Sequence, residues 1–336
     1  MDNITHTLTG ALAAKLIETR TIRSKDSRNE KRTIFWLLLL CANLPDIDVV
    51  LNFLGDPVFS LKHHRGITHS LLFAPLFALL PAALFYGMTT VKNLKLLWVV
   101  ALIGILVHIV FDLITSFGTQ LLSPLSDTRY ATDWMFIIDP LFTGVLALAL
   151  TLGRVVSRHK NVFLIIGGLF VIGYLSAELI CHTIAIRRLE GVIRHDDIAA
   201  TSISALPQPL SIFRWMGLIQ LENGVLQTFF SVLNDDKLEF KEFKNAQPEA
   251  FGIAQTRDDR VALSYLKIFR HPWVQSYTEG DHHIVEFRDL QFSIDPSLLR
   301  LIGLAERPMP FILRYEFSAD GEVLAVYLNE RPVPQQ

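Results

Sequence analysis

Residues 96–115, LLWVVALIGILVHIVFDLIT, form an apolar run long enough to cross a bilayer as one helix, because about 20 residues span a hydrocarbon core of ~30 Å. His108 and Asp112 lie within this run. An ionisable side chain at that depth costs free energy unless it faces protein or water. The two residues are one helical turn apart and share a face. The stretch therefore predicts a membrane helix that presents a polar site to a bundle interior.

Other apolar runs of similar length surround this one, at residues 34–54, 70–88, 136–153 and 162–181. Residues 4–17 form a shorter run, which is typical of a partly inserted or re-entrant helix. The chain is 51% apolar and its mean hydropathy is +0.36, values typical of membrane proteins. For residues 1–187 we predict an α-helical integral membrane bundle of about five spans plus a short N-terminal helix.

The pattern changes after Arg187 and Arg188. Residues 188–336 alternate apolar and polar side chains in short runs, separated by turn signals such as Glu222-Asn223-Gly224 and Asp320-Gly321. This part of the chain predicts a separate, mainly-β soluble domain.

Composition and missing motifs exclude several classes of protein. A net charge of −2 gives no basic footprint, so no nucleic-acid partner is expected. Cys41 and Cys181, both in apolar runs, predict neither a disulfide framework nor a thiolate zinc site. The sequence contains no Gly-x-Ser-x-Gly, Walker A or dinucleotide fingerprint, which argues against a serine hydrolase, an NTPase and a Rossmann enzyme.

Basic residues are concentrated in alternate loops of the five-span arrangement. Loops 20–33, 89–95 and 154–161 are rich in lysine and arginine, whereas loops 55–69 and 116–135 contain only Lys62, Arg65 and Arg129. The positive-inside rule places the rich loops in the cytoplasm. Residues 188–336 are then periplasmic or otherwise extracytoplasmic, although Arg187 and Arg188 at the outer end of the fifth span count against this topology.

Aspartate and histidine fall at one depth in several predicted helices. At ~1.5 Å per residue, Asp46 lies roughly 20 Å above Thr33, His108 roughly 20 Å above Lys95, and Asp139 roughly 22 Å above Arg154. If the first helix runs down to Arg20, His6 is again about 20 Å up. His64 and His69 enter from the loop above. We predict that these side chains share one site in the outer leaflet.

Each motif also has a simpler interpretation. Asp46 and Asp48 can be turn or capping residues after a helix, and His63-His64-Arg65 can be a snorkelling interfacial cluster. His108 and Asp112 can be a buried structural pair, and His6 can contact lipid headgroups. The histidines of the second domain, His271, His282 and His283, are interpreted as surface residues.

Taken in order, the motifs resemble a known family. They are Asp-x-x-Thr-His-x-x-x-Gly from Asp2 to Gly10, Leu-Pro-Asp-x-Asp, His-Arg-Gly-x-Thr-His-Ser, His-x-x-x-Asp followed by Thr-Ser-Phe-Gly-Thr, and Ile-Asp-Pro. As a set they are similar to the YdjM-like family of inner-membrane proteins regarded as metal-dependent hydrolases, closely over residues 1–145. That family is thought to be distantly similar to zinc-dependent phospholipases C and related nucleases.

The resemblance implies a metal site and its residues. The metal ligands that it implies are His6, Asp46, His64, His69, His108 and Asp112. His63 is ranked lower, because only the second histidine of the His63-His64 pair belongs to the family motif. Asp48 and Asp139 become additional ligands or catalytic groups, and the cofactor is a divalent metal, zinc first, with manganese or iron as alternatives. The resemblance also implies localisation in the cell inner membrane.

The chemistry of these side chains agrees with hydrolysis. Imidazoles and carboxylates bind zinc, manganese or iron, and such an ion makes a water molecule reactive near neutral pH. A spare aspartate orients a histidine or acts as a base, and Arg65 binds an anionic oxygen of a phosphoester or lipid-linked substrate. Two alternatives remain open: a metal or proton transporter, and a catalytically inactive membrane scaffold.

Overall fold

The computed structural model describes residues 1–21, 27–53, 57–247, 252–253, 256, 259–301, 303–304 and 309–334. Arg23 and Lys25 of the predicted basic loop lie outside the described residues. The chain forms two compact units, the first from residues 1–49 and 63–179, the second from residues 50–62 and 180–336. The predicted boundary at 187/188 lies inside a continuous helix, Lys160–His195.

The first part of the chain is helical. Its α-helices are α1 (Asn3–Thr21), α2 (Ser27–Cys41), α3 (Pro57–His63), α4 (Ala74–Phe77), α5 (Leu79–Met88), α6 (Leu94–Leu113), α7 (Pro140–Val155) and α8 (Lys160–His195). Short 3-10 helices at Leu44–Phe53, Ile67–His69 and Ser157–His159 connect them. The helical class is confirmed.

The predicted number of spans is wrong. Among the described residues, three segments are long and apolar enough to cross a membrane, Arg28–Leu51, Leu94–Leu113 and Asn161–His195. A fourth exists only if Pro57–His69 and Ala74–Met88, which are bent by 80° relative to each other, count as one span. Helix α7 has 16 residues, about 24 Å of helix, which is short of a ~30 Å core.

Local hydrogen bonds explain why the apolar runs at residues 70–88 and 136–153 do not form full-length membrane helices. The Ser70 hydroxyl donates to the carbonyl oxygens of Leu121 at 3.2 Å and Ser123 at 2.5 Å, so the chain at Ser70 is bound to a loop and not to a helix. At the other run, Asp139 caps α7 by accepting the backbone N–H of Phe142 at 3.0 Å. Pro140 is the first helical residue, so residues 136–139 add no length to that helix.

Two glycines bring α1 and α6 close to α2. A Cβ atom on Gly104 of α6 would lie 2.6 Å from the Cβ of Cys41, and one on Gly10 of α1 would lie 2.7 Å from the Cβ of Ala42. His108 and His6 are each one turn beyond these glycines. The close packing therefore places both imidazoles beside the C-terminal end of α2. Buried residues of the same core include Ile34, Leu37, Leu38, Leu97, Ala101 and Ile105.

The second unit contains two antiparallel sheets, as the mainly-β prediction requires. The first has the order β1 (Ser202–Pro207), β2 (Arg214–Leu221), β3 (Gly224–Ser231), β4 (Lys241–Lys244). The second has the order β5 (Pro272–Glu279), β6 (His282–Asp289), β7 (Leu313–Phe317), β8 (Val323–Leu328), β9 (Arg331–Pro332). The predicted turns lie between β2 and β3 and between β7 and β8. The described residues of this unit also form the helices α9 (Arg260–Ile268) and α10 (Pro296–Leu301) and a 3-10 helix at Leu290–Phe292.

The core of this unit forms on the first sheet. Trp215, Ala205 and Leu189 are fully buried in one cluster with Cys181. A Cβ on Gly217 would lie 2.6 Å from a methyl carbon of Leu189, so the sheet and the end of α8 pack closely. Cys41 and Cys181 are both free thiols, as predicted.

One histidine prediction fails here. His271 is not on the surface but only 2% exposed, and its Nε2 lies 2.9 Å from the Ser204 hydroxyl. Burial lowers the pKa of His271 to about 3, so the imidazole is neutral. His282 is exposed, as predicted, and His283 is half-buried.

Candidate metal centre

Four of the predicted ligands meet at one point in the first unit. Ligand atoms of Asp46, His69, His108 and Asp112 all lie within 4.8 Å of one another. Asp46 comes from the 3-10 helix after α2, His69 from the Ile67–His69 turn, and the other two from α6. Three segments far apart in sequence thus converge at these four residues, whereas their outer-leaflet depth and their roles as ligands stay predictions.

The distances describe a compact donor set. His69 Nε2 lies 3.1 Å from Asp112 Oδ2 and 3.5 Å from Asp46 Oδ1. His108 Nε2 lies 3.5 Å from the same two oxygens and 3.0 Å from His69 Nε2. Two imidazole nitrogens and two carboxylate oxygens are a suitable set for zinc, manganese or iron.

His108 has a backbone partner that sets the tautomer of its neutral ring to the one that a metal ligand needs. Its Nδ1–H donates to the Ala42 carbonyl at 2.8 Å, so in the neutral ring Nε2 carries the free lone pair. The ring also stacks on His6, with 3.8 Å between centroids and 17° between planes. The lone pair therefore points toward the other three ligand atoms, and a backbone partner of this kind fixes the orientation of metal-binding histidines.

Asp48 organises the side chains around the centre. Its carboxylate accepts the Arg65 backbone N–H at 2.9 Å and the Thr68 hydroxyl at 3.2 Å, and it lies 3.5 Å from His69 Nδ1. The Thr68 hydroxyl that donates to Asp48 also lies 3.0 Å from His69 Nδ1, so Asp48 acts on His69 through Thr68, and Nε2 faces the ligand cluster. The contacts of Asp48 are those of an orienting residue.

His64 and His6 lie beside the four-residue cluster. His64 Nδ1 donates to Asp48 at 3.0 Å, and its ring centroid is 6.2 Å from that of His69. His6 Nε2 lies 3.2 Å from Asp112 Oδ1, and the amino group of Met1 contacts the same oxygen. Asp112 therefore meets His6 through one oxygen and the two other histidines through the second. The ligand roles of His64 and His6 stay predictions.

Arg65 is directed inward. Its φ is +56°, in the left-handed region, and only 4% of the residue is exposed. Nε lies 3.0 Å from Asp112 Oδ2, while Nη1 donates to the Thr115 hydroxyl at 3.0 Å and to the Asp112 carbonyl at 3.3 Å. These contacts hold the Asp112 carboxylate in place, and the anion-binding role of Arg65 stays a prediction.

Arg129 also lies beside the cluster, although nothing in the sequence indicated this. Its Nη2 donates to the His64 carbonyl at 3.0 Å and its Nη1 to the Gly118 carbonyl at 3.4 Å. Arg65 and Arg129 both face the Phe117 ring, at 5.2 and 5.5 Å from its centroid. Burial lowers the pKa of Arg129 to about 10. Arg129 lies 65 residues from His64 in sequence and no local motif marks it.

Asp139 makes its described contacts elsewhere. Besides capping α7, it accepts a hydrogen bond from the Tyr174 hydroxyl at 2.5 Å. Close to that residue, the Thr5 and Thr143 hydroxyls lie 2.6 Å apart, which shows that the start of α7 packs near the start of α1. A catalytic role for Asp139 stays a prediction.

Comparison with known proteins agrees with the motifs. Residues 1–185 match the YdjM inner membrane protein family. The uncharacterized protein YfhP of Bacillus subtilis is 27% identical over 256 residues, which cover 74% of this chain and 74% of that protein. No solved structure matches the chain. The family match extends over more than half of the sequence and contains the whole histidine–aspartate cluster, and the chain therefore belongs to the YdjM inner membrane protein family.

Proposed function

We propose that this protein is a membrane-embedded, metal-dependent hydrolase that cleaves phosphoester or lipid-linked substrates. The observation that carries the proposal is the convergence of Asp46, His69, His108 and Asp112 on one point. When bound there, a divalent ion, zinc first, supplies Lewis acidity and a water molecule acidic enough to attack near neutral pH. No nucleic-acid partner is part of the proposal.

The side chains of the protein do the remaining work. Asp48, through the Thr68 hydroxyl, and the Ala42 carbonyl hold His69 and His108 in the orientation that ligation needs. Arg65 balances the charge of Asp112. The carboxylate of Asp48 also lies beside the partly exposed His64, a pair suited to moving a proton toward solvent.

Exposure indicates how a substrate reaches the centre. The side chains of His69, His108 and Asp112 are at most 1% exposed, whereas Asp46 is 13% and His64 30% exposed. The neighbours Ile47 and Val49 are exposed apolar residues. The centre therefore opens at Asp46 and His64 beside an apolar surface, which suits a substrate that arrives from the lipid.

The arrangement of basic residues supports the proposed orientation. Lys15, Arg28, Arg32 and Arg154 line one groove. Helices α2 and α6 run in the same direction, because Gly104 lies next to Cys41 and His108 next to Ala42. Lys95 therefore lies toward the same end. We propose that this end is cytoplasmic under the positive-inside rule, with the metal centre in the outer leaflet and the C-terminal domain extracytoplasmic.

Asp46→Asn tests the proposal, because it removes a charged ligand at nearly constant volume. Detergent-purified wild type should contain about one or two divalent ions by elemental analysis, the number that such clusters hold. It should cleave a member of a phosphodiester and lipid-phosphoester panel, lose that activity with a chelator, and recover it with zinc or manganese. Asp46→Asn should lose metal and turnover, and the exposed Asp320→Asn should retain both. Unchanged metal and turnover in Asp46→Asn, or no chelator-sensitive cleavage in the panel, would contradict it.

A second candidate is a scaffold without catalytic activity. It is favoured by the contacts of Asp112 with Arg65, His6 and the Met1 amino group, which balance a buried carboxylate without any ion. The elemental analysis separates the two candidates. A folded, metal-free protein that does not take up zinc in titration supports the scaffold.

A further inference from the structure

A groove of about 770 Å³ lies at the end of the first unit that is remote from the metal centre. Its cationic lining comes from α1, the start of α2 and the end of α7: Lys15, Arg28, Lys31, Arg32 and Arg154. Along the chain, Arg32 precedes Asp46 by about 14 residues, roughly 20 Å of helix. The groove is therefore a separate feature, and nothing in the proposed hydrolysis uses it.

The charge of the groove is largely uncompensated. Lys15 Nζ pairs with Glu18 Oε1 at 2.8 Å, and Glu18 is the acidic residue of the lining. Within the part of the chain that the structure describes, no ion pair joins Arg28, Lys31, Arg32 or Arg154 to a carboxylate. Four cations that face one concave surface repel one another and favour an anionic ligand.

The wall of the groove is aromatic. Phe35 and Trp36 line it beside the cations; the Lys15 ammonium lies 4.5 Å from the Phe35 ring centroid, and Trp36 is 51% exposed. The candidate span Arg28–Leu51 begins at the cationic rim, so Trp36 lies about two turns inside it. Tryptophan at that depth is typical of the headgroup region of a bilayer.

We propose that this groove binds the headgroup of an anionic phospholipid. The phosphodiester lies among Arg28, Lys31, Arg32 and Arg154, and an acyl chain lies along Trp36. The first backbone N–H groups of α2, which have no acceptor within the helix, also favour a phosphate at this end. A zwitterionic lipid carries its own ammonium group, so the four cations select a lipid of net negative charge.

Lipid selection by purified protein tests this assignment. The full-length protein is reconstituted into vesicles of equal phosphatidylglycerol and phosphatidylcholine, extracted in mild detergent, and its bound lipids are counted by native mass spectrometry. Wild type should retain phosphatidylglycerol in excess. Arg32→Gln combined with Arg154→Gln should weaken this binding by roughly tenfold or more, since each basic residue near a membrane surface contributes about a factor of five. The control Lys95→Gln with Arg187→Gln removes two charges outside the groove and should bind as wild type does.

Three outcomes would overturn the proposal. They are equal retention of the two lipids by wild type, unchanged phosphatidylglycerol binding in the groove variant, and displacement of the lipid by millimolar inorganic phosphate. The last result would identify a site for a free anion. Thermal unfolding in detergent serves as the folding check, because the groove variant should unfold at the temperature of the wild-type protein.

Discussion

Both compact units bury histidine, but with different neighbours. His69 and His108 meet two carboxylates and direct their Nε2 atoms to one point. His271 of the second unit is equally buried, yet its imidazole contacts the Ser204 hydroxyl and pairs with no carboxylate among the described residues. Burial of histidine alone therefore does not indicate a metal site. A candidate metal site needs, in addition, ring nitrogens and carboxylates that converge on one point.

The largest expected effect on stability is at Asp112. This residue is one of the two carboxylates that the buried histidines of the first unit meet, a contact for which the His271 imidazole has no counterpart in the described part of the chain. Asp112→Asn should lower the free energy of unfolding by about 3–5 kcal/mol, because the buried Arg65 guanidinium loses its counter-charge. Thermal unfolding in detergent measures the change, with Asp320→Asn as an exposed control. The double variant Arg65→Leu with Asp112→Leu should recover part of the loss. If it is less stable than Asp112→Asn, the unpaired charge is not the cause.

Asp48 tests the same difference between the units, because it places an acidic residue near the His69 ring, whereas the His271 ring pairs with no carboxylate among the residues that the structure describes. Asp48→Asn should reduce zinc affinity by about 10–100-fold while the fold is retained, as expected when the partner of a ligand histidine is weakened. Competition titration with a chromophoric chelator measures the affinity. Zinc affinity equal to that of wild type would show that His69 needs no orienting carboxylate.

Gly104 tests whether α6 must lie close to α2. Gly104→Ala should cost about 2 kcal/mol, because its Cβ would lie 2.6 Å from that of Cys41 and overpacking is destabilising. The matched control is Gly144→Ala, whose Cβ meets nothing within 4 Å. Thermal unfolding of both variants gives the comparison. Equal behaviour would mean that α6 can move away from α2 at no cost.

The smallest expected effect concerns His271. Burial lowers the pKa of this histidine to about 3, so the folded state does not accept the proton that the unfolded state takes up below ~6.5. The free energy of unfolding therefore decreases as the pH falls through ~6.5, the pKa of histidine in the unfolded chain. Between pH 7 and 5.5 the wild type should lose about 1 kcal/mol more than His271→Gln.

Hydrogen exchange of β6, corrected for intrinsic rates, measures this difference in the full chain. Asp289 has the opposite dependence, because burial raises its pKa to about 6. Its contribution cancels between the two proteins. The same pH dependence in both would show that His271 is already protonated or is exposed.

The convergence of the four clustered side chains was predictable because they lie on or next to regular helices. A fixed rise per residue gave the common depth of Asp46 and His108, and the four-residue spacing placed Asp112 on the same face. The mainly-β second domain followed from turn signals and alternation. The five spans did not hold, because hydropathy cannot distinguish a helix from an apolar run that is bent at Ser70 or begins with a capped proline at Pro140.

Other features depend on tertiary contacts that no local pattern encodes. The inward direction of Arg65 follows from its positive φ, and the position of Arg129 follows from a hydrogen bond to a distant backbone carbonyl. The burial of His271 depends on contact with Ser204 of a strand in the other sheet. The likeness to phospholipases C and nucleases, and hydrolysis itself, stay predictions.

The ion pair between Arg65 and Asp112 has a consequence for biogenesis. Because the guanidinium already supplies a positive charge beside the buried carboxylate, we expect the bundle to fold without an ion. If the centre binds a metal as proposed, metallation would follow folding, and the compartment at the open side of the centre would control it. The metal supply of that compartment, and not the insertion machinery, would then determine when the protein becomes competent.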